Sequence, residues 1–287
     1  QSHSYLVCRL LLEKKKAGGA LVLEHAKAWM CYVGMPLESF GEYILLVNFF
    51  PYVRMFAEHY GVPIYGDGSV GDIKPMQAAT ANNITIVNFP MGSPMAALIM
   101  EMLTAIPHQD PGKQGPKAVL FLGKCGGLKD KHLSVGDLLL PTAAIRGEGT
   151  SKDFYPPEVP ALPAFALQKA VSTTIRQYAK DYFTGTVYTT NRRLWEHDEA
   201  FKERLRLYGS HGIDMETATL FTVGFYNRIP TGALLLVSDM PMTPEGVKTS
   251  ESDKKVSAEH TLTHLKIGVD SLKKLIHRGE NVRHLKY

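Results

Sequence analysis

Apolar positions along the chain fall into short consecutive runs, separated by longer stretches in which they recur at helical spacing. The runs "YILLV" (43–47), "NITIVNF" (83–89), "KAVLFLG" (117–123), "DLLLPTAAI" (137–145), "GTVYTT" (185–190), "GID" (212–214) and "GALLLVSD" (232–239) predict strands. Helices are expected at about 51–60, 94–106, 163–181, 198–208, 216–228 and 251–277. Strands alternating with helices mark an α/β protein. Several strands are apolar at neighbouring rather than alternate positions, so both of their faces are expected to be covered. No repeat or linker divides the chain. The pattern therefore predicts one α/β domain over 36–287, preceded by a helical extension over 1–35, where "LLLEKKKAGGALVLEHAKAW" reads as two helices broken at Gly18 and Gly19.

Composition narrows the function more than the fold. With 287 residues, 45% of them hydrophobic, the chain has enough apolar surface for a large core, and none of it reads as disordered. A net charge of +4, spread rather than gathered in a tail, argues against nucleic acid as a partner and leaves room for a small anion. Cys8, Cys31 and Cys125 are odd in number and form no CxxC pair, which speaks against a disulfide framework and a structural zinc site. "YLVCRLLL" is interrupted by Arg9 and followed by lysines, the reverse of a secretory leader, and no apolar run reaches membrane-spanning length. A cytoplasmic protein with no membrane partner is expected. "HTLTH" (260–264) lacks the glutamate of HExxH, so neither metal nor cofactor is called for. "WEHDE" (195–199) reads as the exposed start of a helix, and "NIT" (83–85) as part of a buried strand.

Open α/β sheets bind ligands beyond the carboxyl ends of their strands. Four polar segments stand at such ends: "GKCGGL", "RGEGTS", "DMET" and "SDMP". Gly123, Gly126 and Gly127 fit either a tight turn or a close approach of backbone to ligand, and match neither the GxxxxGK[ST] nor the GxGxxG phosphate loop. Asp239 fits a turn residue or, if desolvated, a carboxyl able to carry a proton near neutral pH. Asp214 reads as a strand-end structural residue. Glu216 begins an apolar helix, where the dipole favours a carboxylate. Paired with Met215 it also suits a ribose, the thioether lying against the apolar sugar face and the carboxylate accepting from vicinal hydroxyls.

"GKCGGL", "GIDMETATL" and "VSDMP", in this order, resemble the purine nucleoside phosphorylase and nucleosidase superfamily over roughly residues 43–275. The AMP nucleosidases within it are the nearer match, through "VYTTNRRLWEHDE", "IDMETAT" and "VSDMPMTPEGVK". The resemblance implies a central mixed, partly barrel-like β-sheet flanked by helices, and a homo-oligomer, usually a hexamer. It also implies that Met215 and Glu216 bind the ribose and that Asp239, next to Ser238, protonates or hydrogen-bonds purine N7. Gly126 falls in the matching glycine loop, and Trp195 is a candidate cover for the base.

Phosphorolysis and hydrolysis compete within this superfamily. Where hexameric relatives bind phosphate with an arginine and a hydroxyl, this chain has Phe121 and Lys124. Where they carry a GDPxR turn it reads "VNFFPYVR", with Arg54 inside a helical pattern. Water is therefore the expected nucleophile, although Lys124 is able to hold an anion. The expected reaction is hydrolysis of AMP to adenine and ribose 5-phosphate, the partner being a small purine nucleotide. A phosphorylase, a nucleosidase for unphosphorylated nucleosides and a nucleotide sensor without turnover remain as alternatives. Arg146, Thr150, Ser151, Arg192, Arg193 and Lys248 are candidates for the 5′-phosphate, and the sequence does not choose among them.

Overall fold

The computed structural model describes residues 19–106, 115–128, 133–243 and 250–279. Nine strands form one mixed sheet: β1 (Tyr43–Val47), β2 (Tyr65–Asp67), β3 (Ile73–Ala81), β4 (Ile84–Asn88), β5 (Ala118–Gly127), β6 (Leu138–Gly147), β7 (Phe183–Thr190), β8 (Gly212–Asp214) and β9 (Thr231–Asp239). Their order is β2-β3-β4-β1-β5-β8-β7-β6-β9, and β9 also pairs in parallel with β5. That second pairing closes β5, β8, β7, β6 and β9 into a five-stranded barrel, while β2, β3, β4 and β1 extend from it as an open sheet.

Consecutive apolar residues are needed because the central strands face two cores. In β1, Ile44 and Leu46 belong to one apolar cluster, whereas Tyr43, Leu45 and Val47 belong to another on the opposite face. The same alternation divides Val119 and Phe121 from Leu120 and Leu122 in β5, and Leu235 and Val237 from Leu234 and Leu236 in β9. The first core is covered by α1 (Gly19–Tyr32), α3 (Ser93–Met102) and α6 (Thr217–Tyr226). The second is covered by α2 (Phe50–Tyr60), α4 (Phe165–Gln177) and α7 (Ser250–Arg278). The seventh helix, α5 (Glu199–Tyr208), packs Phe201 and Leu205 against Trp195 and Ile213 in a smaller cluster.

All six helices expected in the main domain are present, with ends that differ by a few residues. In the N-terminal extension, α1 begins at Gly19 and buries Trp29 in the first core, which Val33 and Met35 join just after the helix. Two strands, β2 and β3, were not expected from the sequence. Pro75 lies inside β3, where it weakens a strand pattern, but the ladder to β4 runs only from Gln77 to Ala81 and so does not need its missing N–H. The hairpin itself turns on Asn82 and Asn83, both left-handed with φ of 52° and 65°, the geometry of a two-residue primed turn. The glycine segment also departs from expectation. β5 continues through it to Gly127, and the left-handed φ that a tight turn there would use is found at none of Gly123, Gly126 and Gly127. Their small size is what matters: a Cβ on Gly126 would lie 2.9 Å from the Pro241 ring.

Among the described residues no helix is long and apolar enough to cross a membrane. The "HTLTH" histidine His264 is buried; its Nε2 donates to Leu234 O at 3.0 Å and its Nδ1 accepts from Tyr52 Oη at 2.8 Å. Burial lowers its pKa to about 4, which keeps the ring neutral.

Candidate active site

A cleft of about 260 Å3 opens across the carboxyl ends of the central strands. Asn48 and Phe49 line it just after β1, Met91 after β4, and Lys124, Cys125 and Gly126 from β5. Arg192, Arg193, Trp195 and Glu196 contribute the wall after β7, Met215 and Glu216 the edge after β8, and Ser238 and Asp239 the end of β9. Register explains the convergence, because Gly126 pairs with Ile213 on one side and with Asp239 on the other.

Two of these strand ends carry carboxyl groups: β8 ends in Asp214 with Glu216 just beyond it, and β9 ends in Asp239. Asp214 is fully enclosed, accepting from Thr189 Oγ1 at 2.6 Å, from Thr217 N at 2.8 Å and from Thr217 Oγ1. Thr189 Oγ1 in turn accepts from Ala218 N at 2.9 Å, so this carboxyl joins β7 and β8 to the first turn of α6. It also lines the cleft. Burial raises its pKa against the opposing pull of those bonds.

Glu216 occupies the N-cap position of α6, yet its side chain caps nothing there. Instead Oε1 accepts from Gly92 N at 2.7 Å, across the molecule at the start of α3. Gly92 has φ 111° and ψ 154°, a conformation costly for any residue with a Cβ, and this turns its N–H toward the carboxylate. Glu216 is 2% exposed. Burial, reinforced by the nearby Asp214 charge, pushes its pKa up to about 8.

Asp239 is half-buried. Ser238 Oγ donates to its Oδ1 at 2.6 Å and also approaches Cys125 O at 3.3 Å. Trp195 is buried against Phe201, with ring centroids 5.6 Å apart, and shows its remaining surface to the cleft.

The structure thus brings together Gly126, Trp195, Met215, Glu216, Ser238 and Asp239. It does not bring Arg146 or Thr150 to the cleft. All five N–H groups of Arg146 are committed within its own loop, to Ser151 Oγ and to the carbonyls of Ser151, Tyr155, Pro156 and Val159. Thr150 Oγ1 lies 2.8 Å from Ser93 Oγ, and Ser151, fully buried, is bonded to Arg146 and Glu148. Lys248 lies outside the described residues. The cations that do line the cleft are Lys124, with Nζ 3.8 Å from the Phe49 ring centroid, Arg192, bonded to Asp198 at 2.7 Å, and Arg193, bonded to Glu196 at 3.2 Å.

Sequence reading missed Asn48, Phe49, Met91, Gly92 and Glu196. The first four stand just beyond β1 and β4, so the strand-end rule would have found them had it been applied to every strand. Phe121, opposite the arginine position of phosphorylases, is fully buried in the first core.

A model described as the phosphorylase superfamily matches residues 43–276. The chain belongs to that superfamily. The AMP nucleosidase of Escherichia coli strain K12 is 26% identical over 292 residues, an alignment that takes in 88% of this chain. The chain spans only 58% of that relative's length. The crystal structure of AMP nucleosidase from Bacteroides thetaiotaomicron is 47% identical, with a TM-score of 0.75, covering 90% of this chain and 99% of the other. A uridine phosphorylase from Vibrio fischeri shares the fold at 22% identity and a TM-score of 0.71, over 85% of this chain and 96% of its own. The mixed sheet with its five-stranded barrel is therefore the superfamily's fold.

Proposed function

We propose that the cleft hydrolyses the N-glycosidic bond of AMP, releasing adenine and ribose 5-phosphate. The observation that carries this reading is the pairing of two carboxyl groups in one cleft: Glu216, buried and held by Gly92, and Asp239, half-buried beside Ser238. The likeness to AMP nucleosidases supports the nucleotide as substrate. In this reading Met215 lies against the sugar while Glu216 accepts from its 2′- and 3′-hydroxyls. Asp239 gives its proton to N7 as the bond to C1′ breaks, so that adenine leaves neutral. The sugar becomes cationic at C1′ and its ring oxygen, and Glu216 favours that charge in its ionised form, the form that dominates above about pH 8 in the unliganded cleft. Water adds to C1′, and the proton it releases restores Asp239. Gly126 leaves room for the base, and Trp195 covers it. Lys124, Arg192 and Arg193 are the described cations available to the 5′-phosphate; Lys248 stays a candidate. The resemblance further implies a homo-oligomer, usually a hexamer, and the sequence pattern points to the cytoplasm.

Phosphorolysis is the second reading, favoured by one observation, the Lys124 ammonium in the cleft. Product analysis separates the two. Incubation with AMP in phosphate-free buffer is expected to yield adenine and ribose 5-phosphate in equal amounts, with adenosine poorer in kcat/KM by about 10³-fold, as expected for loss of a few charge-assisted phosphate contacts. Adenine release that requires phosphate would instead establish the phosphorylase, and equal rates on AMP and adenosine would remove the nucleotide assignment.

A further inference from the structure

Behind the cleft lies a polar network that the reaction itself does not use. Ser93, fully buried in the first turn of α3, follows Gly92 directly, and its hydroxyl donates to Asn191 Oδ1. Thr150 Oγ1 must then be the donor in its 2.8 Å contact with Ser93 Oγ. Asn191 Nδ2 donates to the Glu148 carbonyl, an acceptor only, which fixes the orientation of the amide. The Glu148 side chain is buried as well. It accepts from Gly149 N at 2.5 Å, from Ser151 N at 3.1 Å and from Thr219 Oγ1 at 2.7 Å. Thr219 sits on α6 three residues after Glu216, and Glu216 accepts from Gly92. The circuit is closed: Glu216 to Gly92 and Ser93, to Asn191, to Glu148, to Thr219, and along α6 back to Glu216.

Asn191 is also part of the segment that walls the cleft, since Thr190 precedes it and Arg192, Arg193, Trp195 and Glu196 follow. We propose that Ser93 and Asn191 are positioning residues for Glu216, locking the N–H that holds the ribose-binding carboxylate to the segment that faces the base. The sugar grip and the base wall are thereby set as one unit. Without the Ser93–Asn191 link, Gly92 is no longer tied to the 190–196 segment, and of the donors that aim Glu216, with Met215 N and the Asn48 side chain the others, it loses the one fixed to that segment. The inference rests on the reading of Glu216 as the ribose-binding group.

A merely structural network would weaken every ligand alike, whereas a network that aims Glu216 must act through the ribose hydroxyls, one of which 2′-deoxy-AMP lacks. The test is therefore a ratio. Affinities for AMP and for 2′-deoxy-AMP are measured through the fluorescence of Trp195 in the unmutated protein, Asn191→Ala and Ser93→Ala, with adenine release from both ligands followed in parallel. Each variant is expected to lower affinity and kcat/KM for AMP by about 10-fold, the scale of a lost hydrogen-bonded contact, and those for 2′-deoxy-AMP by less than about 3-fold. Equal losses on the two ligands, or none on either, would overturn the proposal. If Asn191→Ala does not fold, Ser93→Ala, which removes one hydroxyl only, decides alone. AMP that binds with the expected ratio but is not cleaved would refute the hydrolytic reading and leave this inference standing; AMP that does not bind would overturn both.

Discussion

Glu216 and Asp239 line the same cleft but are held in opposite ways. Glu216 is buried and bonded to a backbone N–H from a helix 124 positions away in sequence, with a closed network behind that contact. Asp239 is half-buried at the end of a strand, and its neighbour Ser238 supplies a hydrogen bond from one position away. The first arrangement fixes a carboxylate in space, which suits a group that must grip a sugar. The second sets a carboxyl at the edge of the cleft with a hydroxyl beside it, which suits a group that exchanges a proton. Asp214, two residues before Glu216, shows the third arrangement: a carboxyl wrapped by three hydrogen bonds that tie β7 and β8 to α6.

The largest effect that would break this comparison belongs to Asp239. Asp239→Asn is expected to lower kcat on AMP by about 10²-fold or more, the scale of general-acid catalysis, with KM changed little. Steady-state assays on folded protein check this, and near-normal turnover would remove Asp239 from proton transfer. Next is Asp214→Asn, which would turn an amide NH2 toward groups that already donate. It should cost about 2–3 kcal/mol in urea unfolding, from buried groups left unpaired. An unchanged midpoint would show that the enclosure of Asp214 matters less than its bonds suggest.

Glu216 also predicts a pH dependence. Its pKa is raised in the folded protein, to about 8 from an ordinary 4.5, so the unfolded chain loses this proton first as pH rises. Stability contributed by the protonated group is thus fully present below about 4.5 and is lost as pH rises toward 8, at a slope on the order of 1 kcal/mol per pH unit. Glu216→Gln does not titrate, so unliganded wild type should lose stability relative to this variant across that window. Parallel stability curves from pH 5 to 8 would contradict the burial argument. The smallest effect belongs to the start of α5. Asp198 caps that helix by accepting from Phe201 N at 2.9 Å, and Asp198→Ala should lower the midpoint of thermal unfolding only slightly.

The same contrast between local and distant partners explains what the sequence made legible. The runs in β1, β5 and β9 announced strands with two covered faces because each strand carries its own pattern. Barrel closure depends on β9 pairing with both β6 and β5, a long-range choice that no single segment records. Asp239, Met215 and Glu216 were legible because they stand at strand ends in recognisable combinations. Gly92 and Ser93 were not, since a glycine and a serine before a helix look like an ordinary helix start until Glu216 and Asn191 are placed against them. Arg146 pointed the wrong way for a physical reason: an arginine beside glycines looks available to a phosphate, and only the folded loop shows that its five donors are already engaged.

The division of labour between the two carboxylates is tested most directly by one ratio, kcat/KM for AMP over that for 2′-deoxy-AMP, measured in wild type, Glu216→Gln and Asp239→Asn. The account predicts that the ratio falls by about 10-fold in Glu216→Gln, where the partner of the 2′-hydroxyl is altered. In Asp239→Asn it stays near the wild-type value while both rates drop together. A ratio preserved in Glu216→Gln, or one that collapses in Asp239→Asn, would contradict it.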